Sequence, residues 1–418
     1  MAEKYAWTRR DSLTSLATAI LAVLLYLPRW LPSVLSAYDI DSRQHVVLAQ
    51  RLFETHVLIL PHFLYEALVI AVHALIPWGS WWVAGTVATM LVVAGTTAIV
   101  YRLVRPVVPG SDPLRAGLWA GFITLCLMTV TPIILLTLPF GNVYFGYVAI
   151  TNYSSPSLIM VRPLALMLFV LVVSNLFVKT KSCKPHVIAG AALLTVLSAL
   201  AKPSFAVCFI PALLVVALYK QLKGSEDRID LKLVLLGVVL PGILTMWLQF
   251  ITYPNPLGLS TIFAPFATYA EWGLPAWLLP KLLLSLAFPL SVLLYFRKQA
   301  LRDPLVMVGW VNMVFGLLYM YFLAEHPHKY ISCGDWLWGA MISLYILFVV
   351  TTMFLLRTYS ATAEISPSAS RSRRICWWVF GMHVLSGGAF WLIWMLFGNQ
   401  GRPEALARFW LVLKNPKR

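Results

Sequence analysis

Charged residues are scarce in this 418-residue chain: Asp, Glu, Lys and Arg make up only 11% of it, against about 25% in an ordinary soluble domain. Hydrophobic residues make up 60%, and the mean hydropathy is +0.80. A soluble fold of this size could not bury so much apolar surface. The composition therefore excludes a soluble enzyme and a disordered chain, and it favours a polytopic helical membrane protein.

Cysteine is also rare, with five residues and no C-x-x-C pair, which excludes a small disulfide-stapled module. The sequence has no P-loop and no G-x-G-x-x-G motif, so we expect no nucleotide cofactor. Acidic residues number 16 against 32 basic ones, for a net charge of +16. The basic residues lie in short clusters between apolar runs, which indicates contact with anionic lipid head groups and no nucleic acid partner.

Long apolar runs are what the sequence has in abundance, and they predict an all-α polytopic membrane protein with about eleven transmembrane helices. A helix of about 20 apolar residues crosses the hydrocarbon core. The predicted spans are 13–33, 82–101, 116–137, 158–178, 187–201, 203–219, 233–252, 280–296, 304–323, 338–356 and 375–397. We predict a break between the fifth and sixth runs at Lys202-Pro203, because proline disfavours helix at the residue before it.

The stretch 45–77 decides the topology. Residues 45–58 are amphipathic, and 61–77 are apolar but short and polar at several positions. If this stretch does not cross the membrane and the N-terminus is cytoplasmic, every cytoplasmic segment carries three or four basic residues. The positive-inside rule favours that arrangement. We therefore predict a first extracytoplasmic loop at 34–80 that contains juxtamembrane helices lying along the membrane surface.

This topology places most of the unusual polar residues on the extracytoplasmic side. Asp39 and Asp41 directly follow the first span, and a carboxylate here would act as a general base or hold a divalent metal such as Mg²⁺ or Mn²⁺. The alternative for Asp41 is capping of the following helix. Ionisable groups at membrane depth are costly and are usually paired or functional.

Two basic residues are candidates for binding a lipid phosphate. Lys202 lies between two short apolar helices, and Arg162 lies near the start of the run 158–178. For both, the alternative is a side chain that snorkels to the interface.

Further polar residues of the same loops are candidates for substrate contacts. His326 and His328 flank a proline, with Glu325 beside them. They would hydrogen-bond a phosphate or a sugar, or hold a metal, although their spacing is not that of a structural zinc site. For Asp335 the alternative is a helix cap, and for the tryptophans of these loops it is an interfacial aromatic belt. The candidate substrate-binding residues are His45, His62, Asn152, Ser155, Glu325 and Asp335.

Three stretches together resemble the GT-C class of membrane glycosyltransferases. They are AYDIDSRQHVVLAQ at 37–50, PHFLYEALVIAVHAL at 61–75 and LSALAKPSFAVCFIPALL at 197–214. The resemblance covers roughly residues 1–220, which it implies to be a conserved transmembrane module, and leaves 221–418 as a variable C-terminal transmembrane region. It implies that Asp39 or Asp41 is the catalytic base or a metal ligand, and that Lys202 contacts the lipid phosphate of the donor.

The resulting hypothesis is an inverting glycosyltransferase with an extracytoplasmic active site, in a bacterial inner or plasma membrane. It would transfer a sugar from a polyprenyl-phosphate donor to a glycan, lipid or protein acceptor. The alternatives are a lipid or glycan transporter or flippase, and a non-catalytic subunit of an envelope-assembly complex. A transporter predicts mid-membrane charges and an internal repeat, and the sequence shows neither clearly.

Overall fold

The fold is almost entirely helical, as the composition predicted. A computed structural model describes residues 7–35, 40–110, 112–134, 146–150, 155–178, 183–223, 228–253, 258–271, 277–360 and 367–397. Its long helices in chain order are α1 (Arg9–Leu35), α2 (Ile40–Thr55), α3 (Leu64–Leu75), α4 (Trp81–Val104), α5 (Pro113–Thr129), α6 (Pro156–Leu176), α7 (Pro185–Ala201) and α8 (Ser204–Leu222). The second half contains α9 (Leu231–Val234), a π-helical segment (Leu235–Val239), α10 (Leu240–Thr252), α11 (Ala267–Glu271), α12 (Leu278–Arg302), α13 (Pro304–Phe322), α14 (Leu337–Ser360) and α15 (Pro367–Phe397).

Nine helices in the described part of the chain are long and apolar enough to cross a membrane. The prediction of an all-α polytopic membrane protein is therefore confirmed. The runs at 116–137 and 187–201 correspond to α5 and α7, which have 17 residues each. The count of eleven spans stays a prediction, because it depends on these two shorter helices also crossing.

Helix α14 lies at the centre of the bundle. Every residue of its central part, 339–356, is buried, and the helix packs against α6, α8, α12 and α13. A helix that is apolar on all faces is expected in such a central position. Close packing against α13 depends on Gly316, since a Cβ there would lie 2.8 Å from the Cα of Ala340.

Local sequence signals explain where several helices begin. Asp112 accepts a hydrogen bond from the Leu114 amide, and Asp303 accepts two from the amides of Leu305 and Val306. In both cases proline occupies the first helical position, where its missing N–H costs nothing. The predicted break at Lys202-Pro203 is also confirmed, because α7 ends at Ala201 and α8 begins at Ser204.

Helices α2 and α3 are too short to count among the nine, and they pack on each other and on α4. The Gln249 side chain of α10 donates to the carbonyls of Pro61 and Ala199, at 2.7 and 3.1 Å. The start of α3 is thereby held beside the end of α7. Two short antiparallel strands that are far apart in the chain, β3 (Ser260–Phe263) and β4 (Leu323–His326), pair with Ser260 opposite His326. A second pair consists of β1 (Phe177–Val178) and β2 (Arg228–Ile229).

Candidate functional site

Lys202 is the centre of a polar cluster that joins four parts of the chain. It is only 8% exposed, and its Nζ lies 3.3 Å from Ser157 Oγ and 4.8 Å from the centre of the Trp338 ring. Among the described residues, no carboxylate oxygen lies within 4 Å of Nζ. A snorkelling lysine would extend its ammonium into solvent, so the burial of Lys202 does not fit that alternative.

Lys202 lies outside the spans, and its environment opposes its charge. Burial lowers the pKa of its ammonium, and the carboxylates of Asp335, Asp41 and Glu66 act in the opposite direction. These three acids come from three separate segments and all lie within electrostatic reach of one lysine. The residues on which the sequence hypothesis depended, Asp41 and Lys202, are therefore on the same side of the bundle.

A pair of hydroxyls extends from Lys202 toward the start of α6. Ser157 Oγ, which faces the ammonium, is 2.9 Å from Ser155 Oγ. Both serines are buried. Pro156 between them occupies the first turn of α6, which holds the two side chains at the helix end. Ser155, predicted to contact substrate, thus belongs to the cluster through Ser157.

Two further carboxyl groups are linked to Trp338: Asp335 just before α14, and Glu325 on β4. The Trp338 indole N–H donates to Asp335 Oδ1 at 3.1 Å, and the Asp335 amide donates to Glu325 Oε1 at 3.1 Å. Asp335 therefore fixes the tryptophan ring whose face is under the Lys202 ammonium. Glu325 is 7% exposed, and its Oε2 has no hydrogen-bond partner among the described residues.

Glu325 gives the site a pH dependence. Burial and the neighbouring charge of Asp335 raise the pKa of Glu325 from 4.5 to about 7. A carboxyl whose pKa is raised on folding stabilises the folded state at low pH, and this contribution is lost between about pH 4.5 and pH 7. We expect hydrogen-exchange protection of the Leu323–His326 strand amides, corrected for intrinsic rates, to fall roughly tenfold to a hundredfold over that interval.

The Glu325→Gln variant should show little of this pH dependence, since an amide does not titrate. Glu271→Gln is the matched control, because Glu271 is an exposed acid on α11 that contacts His328 at 3.3 Å. Equal pH slopes in the wild type and Glu325→Gln would contradict the assignment.

An imidazole between two carboxylates forms the acidic side of the cluster. His45 Nδ1 lies 2.5 Å from Glu66 Oε1, and His45 Nε2 lies 3.6 Å from Asp41 Oδ1. Asp41 and His45 are one helical turn apart on α2, whereas Glu66 comes from α3. The Asp41 side chain is 48% exposed, but those of His45 and Glu66 are buried. Asp41 is thus the accessible end of a fixed acid–imidazole–acid row.

His62 is within electrostatic reach of both Lys202 and His45. Burial lowers its pKa to about 3, and the proximity of Lys202 and His45 contributes in the same direction. His62 is therefore neutral at physiological pH. A neutral imidazole both donates and accepts hydrogen bonds, which suits contact with a sugar hydroxyl.

The structure places the remaining predicted residues elsewhere. Arg162 is buried against the ring of Tyr345, 5.2 Å from its centre. Tyr345 is seven residues after Trp338 on α14, so Arg162 lies about 10 Å deeper in the bundle than Lys202. His326 is exposed on β4, and His328 contacts the exposed Glu271. Asp39 and Asn152 lie outside the described residues.

The described residues of this site are poorly suited to binding a divalent metal. They contain no group of three or more His, Cys, Asp or Glu side chains able to hold a metal ion. The imidazole of His45 occupies the space beside Asp41 on the side of Glu66. We therefore derive no step through a metal, and Asp39 is the predicted ligand that the structure does not describe.

Sequence reasoning missed three members of the cluster and one further buried cation. Ser157 and Glu66 were not singled out as site residues, and Trp338 was assigned to the aromatic belt. Lys281, at 1% exposure on α12, has its Nζ 5.6 Å from the centre of the Tyr147 ring. A lone lysine in the apolar run LLPKLLLS was the available signal for it.

A small cavity of about 170 Å³ adjoins the cluster on the side of α8, α13 and α14. Asp335 and Pro203 line it, together with Tyr319 and Trp336. The site therefore combines a buried cation, hydroxyls, an accessible carboxylate and space for a small group. Comparison with models of protein families, with curated proteins and with solved structures found no match.

Proposed function

We propose that this protein is an integral membrane glycosyltransferase. It would move a sugar from a polyprenyl-phosphate donor to the hydroxyl of a glycan, lipid or protein acceptor, with inversion at the anomeric carbon. The observation that carries the proposal is Lys202: its buried ammonium has hydroxyl and aromatic neighbours but no described carboxylate within 4 Å. A buried cation without an ion-pair partner is suited to an anionic ligand.

Lys202 would act on the leaving group. Transfer breaks the bond between the anomeric carbon and a phosphate oxygen, and the polyprenyl phosphate departs with the bonding electron pair. The negative charge that develops on that oxygen would be stabilised by the ammonium and by the Ser157 hydroxyl beside it. Preorganised charge stabilisation of this kind is worth about 3 kcal/mol per well-placed donor.

Asp41 would act on the acceptor. The acceptor oxygen forms the new bond to the anomeric carbon, and its proton passes to the accessible Asp41 carboxylate. His45 is positioned to hold that carboxylate in place, because Glu66 fixes the ring from its other side. Asp41 is thus the catalytic residue of this proposal, and His45 and Glu66 are positioning residues.

The positive-inside rule supports the orientation. The ends of α4 and α12 and the start of α15 carry basic clusters, and Arg357 is at the end of α14, whereas Lys202 lies beside Trp338 at the opposite end of α14. We propose a cytoplasmic N-terminus and an extracytoplasmic site in a bacterial inner or plasma membrane. Residues 1–220 supply Asp41, His45, His62, Glu66, Ser157 and Lys202, which fits their proposed role as the catalytic module.

The first test is the Asp41→Asn variant. Loss of the general base should lower transfer by about 10²- to 10⁴-fold and leave donor binding in place, because Lys202 is unchanged. The assay is release of polyprenyl phosphate from labelled polyprenyl-phosphate hexoses and pentoses in proteoliposomes. Glu54→Gln is the matched control, since Glu54 is exposed on the same helix.

Asp39→Asn is measured in parallel, because Asp39 is the other predicted base. Full transfer activity in both aspartate variants would refute the proposed chemistry. Uptake or counterflow of labelled lipid with no chemical product would instead favour the transporter. Activity only after copurification with a second protein would favour a non-catalytic assembly subunit.

A further inference from the structure

A large apolar groove lies at the opposite end of the bundle from Lys202. Its volume is about 670 Å³, and its walls come from α5, α15 and the last turns of α14. Tyr359, on its rim, is 21 residues after Trp338 on the same helix, or about 30 Å along the helix axis. The groove is therefore separate from the proposed catalytic site.

Helices α5 and α15 run in the same direction, and both contribute side chains to the walls of the groove. At the far end Gly387 packs directly on the Thr129 carbonyl. Near its N-terminus, α15 contacts the end of α14: Arg373 donates to the Thr358 carbonyl at 3.2 Å and lies over the Tyr359 ring. Aromatic side chains on both helices remain exposed here, with Trp119 at 50% and Trp378 at 75%.

Three exposed arginines lie on the helices that form the walls of the groove, N-terminal to its lining residues. Arg371 and Arg374 precede the lining residue Trp378 by seven and four positions on α15, so helical periodicity puts all three on one face. Arg115 precedes the lining residue Trp119 by four positions on α5. None of the three arginines forms an ion pair with a carboxylate of the described residues.

We infer that this groove binds an anionic phospholipid, with an acyl chain between α5 and α15 and the phosphate against Arg115, Arg371 and Arg374. The apolar lining suits the acyl chain of such a lipid, and the arginines suit its negatively charged head group. Basic residues at the membrane surface attract anionic head groups, and the groove volume is within the range of ligand-binding pockets. A zwitterionic lipid with the same chains has no net charge to pair with the arginines.

The experiment compares retention of phosphatidylglycerol and phosphatidylcholine with identical chains by the full-length protein, using native mass spectrometry after purification in detergent. Wild type should retain phosphatidylglycerol preferentially. The double variant Arg371→Ala/Arg374→Ala should lose about 10- to 30-fold in apparent affinity for phosphatidylglycerol. Gly381→Leu, which fills the groove where a Cβ meets nothing within 4 Å, should reduce retention of both lipids.

The matched control is Arg297→Ala/Lys298→Ala. It removes two exposed charges near the end of α12, on the proposed cytoplasmic side where the groove arginines also lie. An equal loss in this control would mean that the general basic field attracts the lipid, and it would overturn a specific site. Equal retention of both lipids by wild type would also overturn it. So would a dimer that buries this groove against a second copy of the chain.

Discussion

Replacing Lys202 with methionine is expected to lower sugar transfer by about 10²- to 10³-fold and leave the protein folded. The loss follows from removing the charge proposed to stabilise the departing phosphate. The fold should tolerate the change, because the buried ammonium has no carboxylate within 4 Å in the described structure, and methionine removes its desolvation cost. Thermal unfolding should therefore show unchanged or increased stability alongside the loss of activity.

Two further variants sharpen this test. Lys298→Met removes an exposed lysine at the far end of α12 and should leave transfer unchanged. Lys202→Arg keeps the charge but not the compact ammonium, so it should keep a fraction of the activity. A Lys202→Met protein that is stable and fully active would mean that Lys202 does not contact the leaving group.

Replacing Gly387 with alanine is expected to cause the largest loss of stability. A Cβ at this position would lie 1.6 Å from the Thr129 carbonyl oxygen, so α15 would have to move away from the end of α5. The neighbouring hydrogen bonds depend on that contact: His383 Nδ1 lies 2.6 Å from the Thr131 carbonyl, and Ser386 Oγ donates to the Pro132 carbonyl at 2.6 Å. We expect a cost of about 3 kcal/mol or more, measured by thermal unfolding in detergent.

Gly388→Ala is the control one residue away. Its Cβ would meet nothing within 4 Å, and alanine is the better helix former by about 1 kcal/mol. Its stability should therefore be unchanged or slightly higher. Similar unfolding temperatures for the two alanine variants would show that α5 and α15 do not pack as described.

The amphipathic stretch 45–58 and the short run at 61–77 indicated the helices α2 and α3, since neither has the length or apolarity of a span. The expectation that Asp41 and Lys202 share one side followed from charge counting alone. Pairing within the site could not be read from the sequence. The prediction took His45 as a substrate contact, yet its ring is buried between Glu66 and Asp41. Periodicity does not reveal which residues of different helices meet.

The sequence by itself determined that this is a polytopic helical membrane protein and that α7 and α8 separate at Lys202-Pro203. Scarce charge, long apolar runs and a proline act locally, so they can be read without coordinates. Only the tertiary structure decided that Ser157, Trp338 and Glu66 join Lys202 and that Arg162 lies deeper against Tyr345. Those outcomes depend on how helices that are far apart in the chain pack around α14. Such packing is set by the fit between side chains of different helices, and a local sequence pattern does not encode that fit.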